Sequence, residues 1–148
     1  MEQSKTLFAI VRDAMRCIES AFDDALAPLG IDAVDFEILL ALEEEGRWSI
    51  VSLARSMRSN RTALSKRVAR LEARGLLVVN RTNQRRSRTS LTGPGREVLA
   101  EAMGPHDEVH AELELRLGDG TAAVLAHFSD RFRRVPFTLA TRCADPRG

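Results

Sequence analysis

Between positions 59 and 66 the chain gathers Ser59, Asn60, Arg61, Thr62, Ser65 and Lys66, a set of hydroxyl, amide, guanidinium and ammonium groups with no carboxylate among them. Groups of these types donate hydrogen bonds and neutralise anions. A guanidinium such as that of Arg61 can grip a guanine edge in a major groove through two parallel bonds, and Arg61 is the first choice here for a specific contact. Further along, Arg81, Arg85, Arg86 and Arg88 crowd a short polar segment of the kind that enters an adjacent minor groove and reads its width. The chemistry suggested by these types and spacings is recognition of a double-stranded polyanion.

Residues with other chemistry to offer are sparse. His106 and His110, at i and i+4, share a helical face and supply two of the ligands a zinc ion needs, without an evident third nearby in sequence. Cys17 and Cys143 lie near opposite ends and belong to no CxxC or Cys/His framework; on an apolar helical pattern, Cys17 reads as a small core residue. There is no phosphate loop, nucleophile elbow or paired-carboxylate motif, so neither an enzyme nor a cofactor is expected. No Tyr and a single Trp, Trp48, rule out an aromatic platform for stacking single strands. For a small effector, Arg12, Arg16, Trp48, His106 and His110 are the residues at helix junctions with a charge or a ring to contribute, although packing beneath neighbouring helices is the plainer role for Trp48.

The elements that position the cationic cluster are legible. Leu64, Val68 and Leu71 recur at i, i+4 and i+7, predicting a helix with this apolar stripe inward and Arg61, Thr62, Ser65, Lys66 and Arg70 elsewhere. Ser59 and Asn60 are strong capping types, and Gly75 stops the helix after Arg74. Lys66, Arg70 and Arg74 read as phosphate or solvent contacts. Upstream, Ser49 caps a shorter helix with Ile50, Leu53, Ala54 and Met57 on one side, and the gap to Asn60 is the helix-turn-helix spacing. Downstream, Leu77–Val79 and Arg88–Leu91 read as two strands of a hairpin whose tip carries the arginines. Together these are a winged helix.

Charge supports the same division. The net charge is only +1, yet twelve Lys or Arg lie from Arg55 to Arg96 against the single acid Glu72, so this stretch carries +11 and the remainder −10. A local excess of that size attracts a polyanion, and the acidic body sets the direction of approach. With 148 residues, 44% of them hydrophobic, the chain suits one globular domain, and no apolar run approaches a membrane span. A cytoplasmic protein is expected.

Long apolar stripes flank the winged helix. Residues 4–27 carry one, from Leu7 to Leu26; a second helix with Phe36, Leu39, Leu40 and Leu42 is capped by Asp32 or Asp35. After the wing, Thr92 opens a helix in which Gly104-Pro105 predicts a kink or break. A last helix carries Val124, Leu125, Phe128, Phe132 and Val135 before Pro136. The expected organisation is one domain over 1–148, with 30–92 as the winged helix-turn-helix and 4–27 and 93–142 as helices through which two copies dimerise. Two such copies would face successive major grooves, roughly 34–36 Å apart.

From about Ile31 to Leu99 the chain resembles the MarR family of winged helix-turn-helix regulators. The likeness rests on Phe36 to Leu42, Leu53-Ala54, Thr62 to Ser65, Val68, Leu71-Glu72, Gly75-Leu76 and Leu91-Thr92 followed by Gly95. It departs from the family pattern at the wing, where Asn83-Gln84-Arg85 stands for Asp-x-Arg, and in the turn, where Arg58 replaces the usual Gly and is expected in a left-handed conformation. The resemblance implies a mainly α protein with a small β-hairpin wing. It also implies a homodimer that binds a pseudo-palindromic DNA operator, usually as a repressor, released by a small aromatic or anionic effector. Arg85 is favoured for the minor groove on family position. A zinc- or redox-responsive regulator of the same fold, and a winged-helix protein-interaction module, are the alternatives.

Overall fold

The computed structural model of the chain describes residues 6–46, 48–81, 88–118 and 120–134, without the side chains of residues 45, 128 and 131–134. In order these form α1 (Leu7–Leu26), a 3-10 turn (Ala27–Leu29), α2 (Ala33–Glu45), α3 (Ile50–Ser56), α4 (Arg61–Ala73), β1 (Leu77–Asn80), β2 (Arg88–Leu91), α5 (Gly93–Leu117) and α6 (Thr121–Arg134). The chain divides into two compact units, residues 1–110 and 111–148, with α5 starting in the first and ending in the second. No helix of the described residues is long and apolar enough to cross a membrane.

Capping side chains set the helix starts. Amides at each helix start lack partners within the helix, and Thr6, Ser49, Asn60 and Thr92 accept from Ala9, Ser52, Thr62 and Gly95 at 2.8–3.3 Å. Of the two acids proposed to cap α2, Asp32 is the cap and Asp35 completes a reciprocal capping box. Between α3 and α4 Arg58 takes the left-handed conformation, φ 51°, and the chain closes the turn through the Ser59 amide on the Ala54 carbonyl at 3.0 Å. The helix-turn-helix keeps its shape there without glycine, at a modest conformational cost.

Leu53 and Ala54 of α3, Leu64, Val68 and Leu71 of α4, and Ile38, Leu39 and Leu42 of α2 bury together with Leu77, Val79 and Leu91 of the hairpin. The antiparallel register sets Leu77 opposite Leu91 and Val79 opposite Thr89. Trp48 extends this sheet. Its backbone exchanges hydrogen bonds with Thr89 at 3.0 and 2.7 Å, and its indole N–H donates to the Ala41 carbonyl at 3.0 Å.

The hairpin base is locked to the start of α5. The Thr92 hydroxyl donates to the Gly75 carbonyl at 2.6 Å, its amide donates to Leu76, and a Cβ built on Gly95 would lie 1.8 Å from the Leu76 carbonyl oxygen. Beyond this point the expected break at Gly104-Pro105 is absent: α5 runs continuously through Pro105. Proline removes one amide donor from the ladder, and that cost is carried by helical residues on both sides. Cys17, read as a core residue, is exposed on α1. In the second unit, Arg116 donates to Glu112 at 2.6 Å across one turn, and the Thr121 hydroxyl donates to the Leu117 carbonyl.

A charged contact fixes α4 on α2. Arg67 donates to both Asp32 oxygens at 2.8 and 2.5 Å and to Asp35 at 3.1 Å, while Arg70 donates to Asp35 at 2.5 Å and lies 3.6 Å from Asp32. Asp35 is only 1% exposed. Burial pushes the Asp32 carboxyl up, but the Arg67 hydrogen bond, the Asp35 amide and the charges of Arg67 and Arg70 outweigh it and hold Asp32 below its ordinary 3.8. Arg67 is correspondingly raised, chiefly by its bond to Asp32.

Gly95→Ala should destabilise the protein by about 3 kcal/mol, because the new methyl group can be relieved only by moving backbone; thermal denaturation measures the loss. Asp32 supplies a stabilisation that is complete above its unfolded pKa and is lost as pH falls through its lower folded value. Asp32→Asn keeps a capping side chain and removes the charge. The wild type's stability advantage over that variant should therefore be constant from pH 7 to about pH 5 and shrink below about pH 4, as read from denaturant midpoints against pH.

Candidate nucleic-acid interface and an adjoining pocket

The cations of the basic stretch fall into two groups in three dimensions. Arg67 and Arg70 are committed to Asp32 and Asp35, Arg81 to Glu72 at 2.7 and 3.3 Å, and Arg96 to Glu43 at 3.0 Å. Arg74, read as a phosphate or solvent contact, instead donates to the carbonyls of Leu29 and Gly30. The hydrogen bond from Arg81 is the first cause of a lowered Glu72 pKa, against a smaller opposing effect of burial. Five of the twelve cations thus hold the protein's own acceptors.

The others point a different way. Arg61 and Lys66, on the amino-terminal half of α4, are exposed and form no ion pair with a described residue; the same holds for Arg55, Arg58 and Arg88. Thr62 beside them is exposed and Ser65 is half-buried. Asn60 is exposed, but its side-chain carbonyl is already bonded to the Thr62 and Ala63 amides, which leaves its amino group to donate. Ser59 is half-buried at the turn. Along one helix, therefore, the first half presents uncommitted donors and the second half is bolted to α2. Arg85 and Arg86, with Asn83 and Gln84, lie outside the described residues.

A small pocket of about 120 Å³, open to solvent, lies on the other side of α2 and is lined by Phe22, Ala33, Phe36, Glu37 and His106. Ala33, Phe36 and Glu37 are at i, i+3 and i+4 and so share one face, while Asp35 projects from nearly the opposite one and Asp32 is the cap just before the helix. The first turn of α2 touches the pocket with one side and holds the arginines of α4 with the other. His106 stacks on both phenyl rings, with centroids 4.3 Å from Phe36 and 5.0 Å from Phe22, and its Nδ1 lies 3.2 Å from Asp107.

Of the residues proposed for an effector, only His106 lines this pocket. His110 stacks behind it at 6.3 Å. Trp48 does not line the pocket; its indole N–H is bonded to Ala41 and its backbone to Thr89. Arg12 pairs with Asp13 at 3.5 Å and lies over the Phe8 ring, and neither it nor Arg16 lines the pocket. Phe22, Ala33, Phe36 and Glu37 were missed because two of them read as core stripe; the signal was the i, i+3, i+4 spacing of 33, 36 and 37. Among the described residues no group of three or more His, Cys, Asp or Glu is arranged to hold a metal ion.

A family of winged helix-turn-helix DNA-binding domains matches residues 31–78. Comparison with curated proteins finds no matching relative. Among solved structures, a MarR variant from E. coli complexed with operator DNA superposes with TM-score 0.75 at 20% identity, covering 84% of this chain and 91% of that one. BpsR from Bordetella bronchiseptica, whose DNA binding is regulated by 6-hydroxynicotinic acid, superposes with TM-score 0.79 at 19% identity over 91% and 98% of the two chains. The transcriptional regulator BldR from Sulfolobus solfataricus gives TM-score 0.74 at 26% identity over 87% and 94%. The chain thus contains a winged helix-turn-helix DNA-binding domain, and over most of its length it shares the fold of the MarR and BpsR regulators.

Proposed function

We propose that the chain is a ligand-responsive repressor that binds a pseudo-palindromic duplex operator as a homodimer. The observation that carries the DNA-reading part is the split along α4. Arg61, Thr62 and Lys66 are exposed at the end of the helix that enters a major groove in this fold, while Arg67 and Arg70 are held behind it. Arg61 reads a base edge, with Asn60, Thr62 and Ser65 beside it, and Ser59 and Lys66 contact flanking phosphate. Arg81, Arg85, Arg86 and Arg88 belong to the wing; of these Arg81 is braced by Glu72, which steadies the strand end that leads to the tip.

Dimerisation is supported by apolar surface with nothing on it. Leu7, Phe8, Ile10, Val11 and Met15 of α1 are between 49 and 75% exposed, and Val124 and Leu125 of α6 are likewise open. Contiguous apolar surface of this kind marks an interface. The ligand response is supported by the two-sided first turn of α2, since a molecule that displaces Phe36 or Glu37 moves the anchor of the reading helix. The regulation of BpsR by 6-hydroxynicotinic acid supports the same reading.

Three variants test the assignment by operator affinity over several sequences and salt concentrations. Arg61→Ala should lose discrimination at one position of each half-site, worth about 1–3 kcal/mol. Lys66→Ala should weaken all sequences alike and flatten the log–log salt slope by about 1–2, one phosphate per copy. Arg70→Ala should lower stability and leave the salt slope unchanged, because its charge is already compensated by Asp35. Equal salt dependence for Lys66→Ala and the wild type, or a flattened slope for Arg70→Ala, would overturn the split. Sedimentation should give a dimer, and replacing Ile10 and Val11 with Asp should yield folded monomer that no longer retains operator.

A further inference from the structure

The charges around the pocket are of one sign. Its walls hold two phenyl rings, an imidazole and the Glu37 carboxylate, and neither lysine nor arginine. Two more carboxylates contact residues of its lining: Asp107, 3.2 Å from the His106 Nδ1, and Asp23, whose Oδ1 accepts from the Ala33 amide at 2.8 Å. Arg12 is turned to Asp13 and Phe8, and lies ten residues before Phe22, about 15 Å along the α1 axis. A carboxylate ligand entering here would face the Glu37 charge and would find neither lysine nor arginine in the lining to hold it.

We infer that the pocket takes a small planar cation, a protonated aromatic amidine or amine, with its ring against the Phe22–His106–Phe36 wall and its charge on Glu37. The inference rests on the ligand-responsive reading and names the ligand's chemical class. Size agrees: the volume is of the order of the ~150 Å³ cavity that holds one benzene ring. Aromatic faces attract a cation through the ring quadrupole, and a carboxylate at the mouth adds direct pairing without the cost of full burial. Of the aromatic or anionic effector implied by the family resemblance, this keeps the aromatic ring and replaces the negative charge with a positive one.

Benzamidinium, benzamide and benzoate share one shape and differ in charge, so they separate the alternatives. Each is titrated into the full-length chain while aromatic resonances of Phe22, Phe36 and His106 are followed by NMR. Benzamidinium should bind saturably and about tenfold more tightly than benzamide, with benzoate weakest. Glu37→Gln should bring benzamidinium and benzamide to within about twofold, with the thermal midpoint unchanged as evidence of an intact fold. Benzoate binding as tightly as benzamidinium, a cation preference that survives Glu37→Gln, or no saturable shift with benzamidinium would overturn the inference. Operator affinity in saturating benzamidinium is measured separately: binding at the pocket without weaker operator affinity leaves the ligand class standing and refutes the ligand-responsive reading.

Discussion

A carboxylate that is 1% exposed survives in the fold only if cations and amides replace the water it has lost, and at Asp35 those cations are Arg67 and Arg70. The same two arginines hold Asp32, which at the same time caps α2. The contact therefore does two mechanical things at once. It terminates one helix and sets the roll of another, and the roll of α4 decides which of its side chains face outward. Removing one partner would leave the others as uncompensated charge, so the arrangement tolerates conservative change poorly.

Much of this was written locally. The stripe Leu64, Val68, Leu71, the capping types Ser49, Asn60 and Thr92, the two hairpin strands and the left-handed Arg58 all follow from spacing and side-chain type within a few residues, and the structure has each in place. What spacing does not carry is pairing at a distance. Arg67 and Arg70 find their acids 32 and 35 positions away, Arg96 its acid 53 away, and Arg74 its carbonyls 44 and 45 away. A linear count of charge treats these residues as free. Trp48 has the packing role read for it, but the bridge to Thr89, 41 residues later, that holds it there is again a pairing at a distance.

Pro105 and Cys17 show the limit of reading single residue types. Proline strongly disfavours a helix interior, yet Glu97 to Met103 and Asp107 to Leu117 are helical on both sides and the helix runs through it. Cysteine is among the most buried residues on average, but α1 turns a broad apolar surface outward, and Cys17 is exposed on it. In both cases the neighbours decide.

Internal neutralisation of four cations, Arg67, Arg70, Arg81 and Arg96, also bears on how the protein would travel. Sequence-independent adhesion to a chromosome grows with every phosphate counterion displaced, and a regulator faces on the order of a million or more decoy positions for each true one. Arginines already paired with Asp32, Asp35, Glu72 and Glu43 would add little to that adhesion. Dwell time on irrelevant duplex would thereby be shortened, and the contact that aims the reading helix would also weaken its hold on decoys.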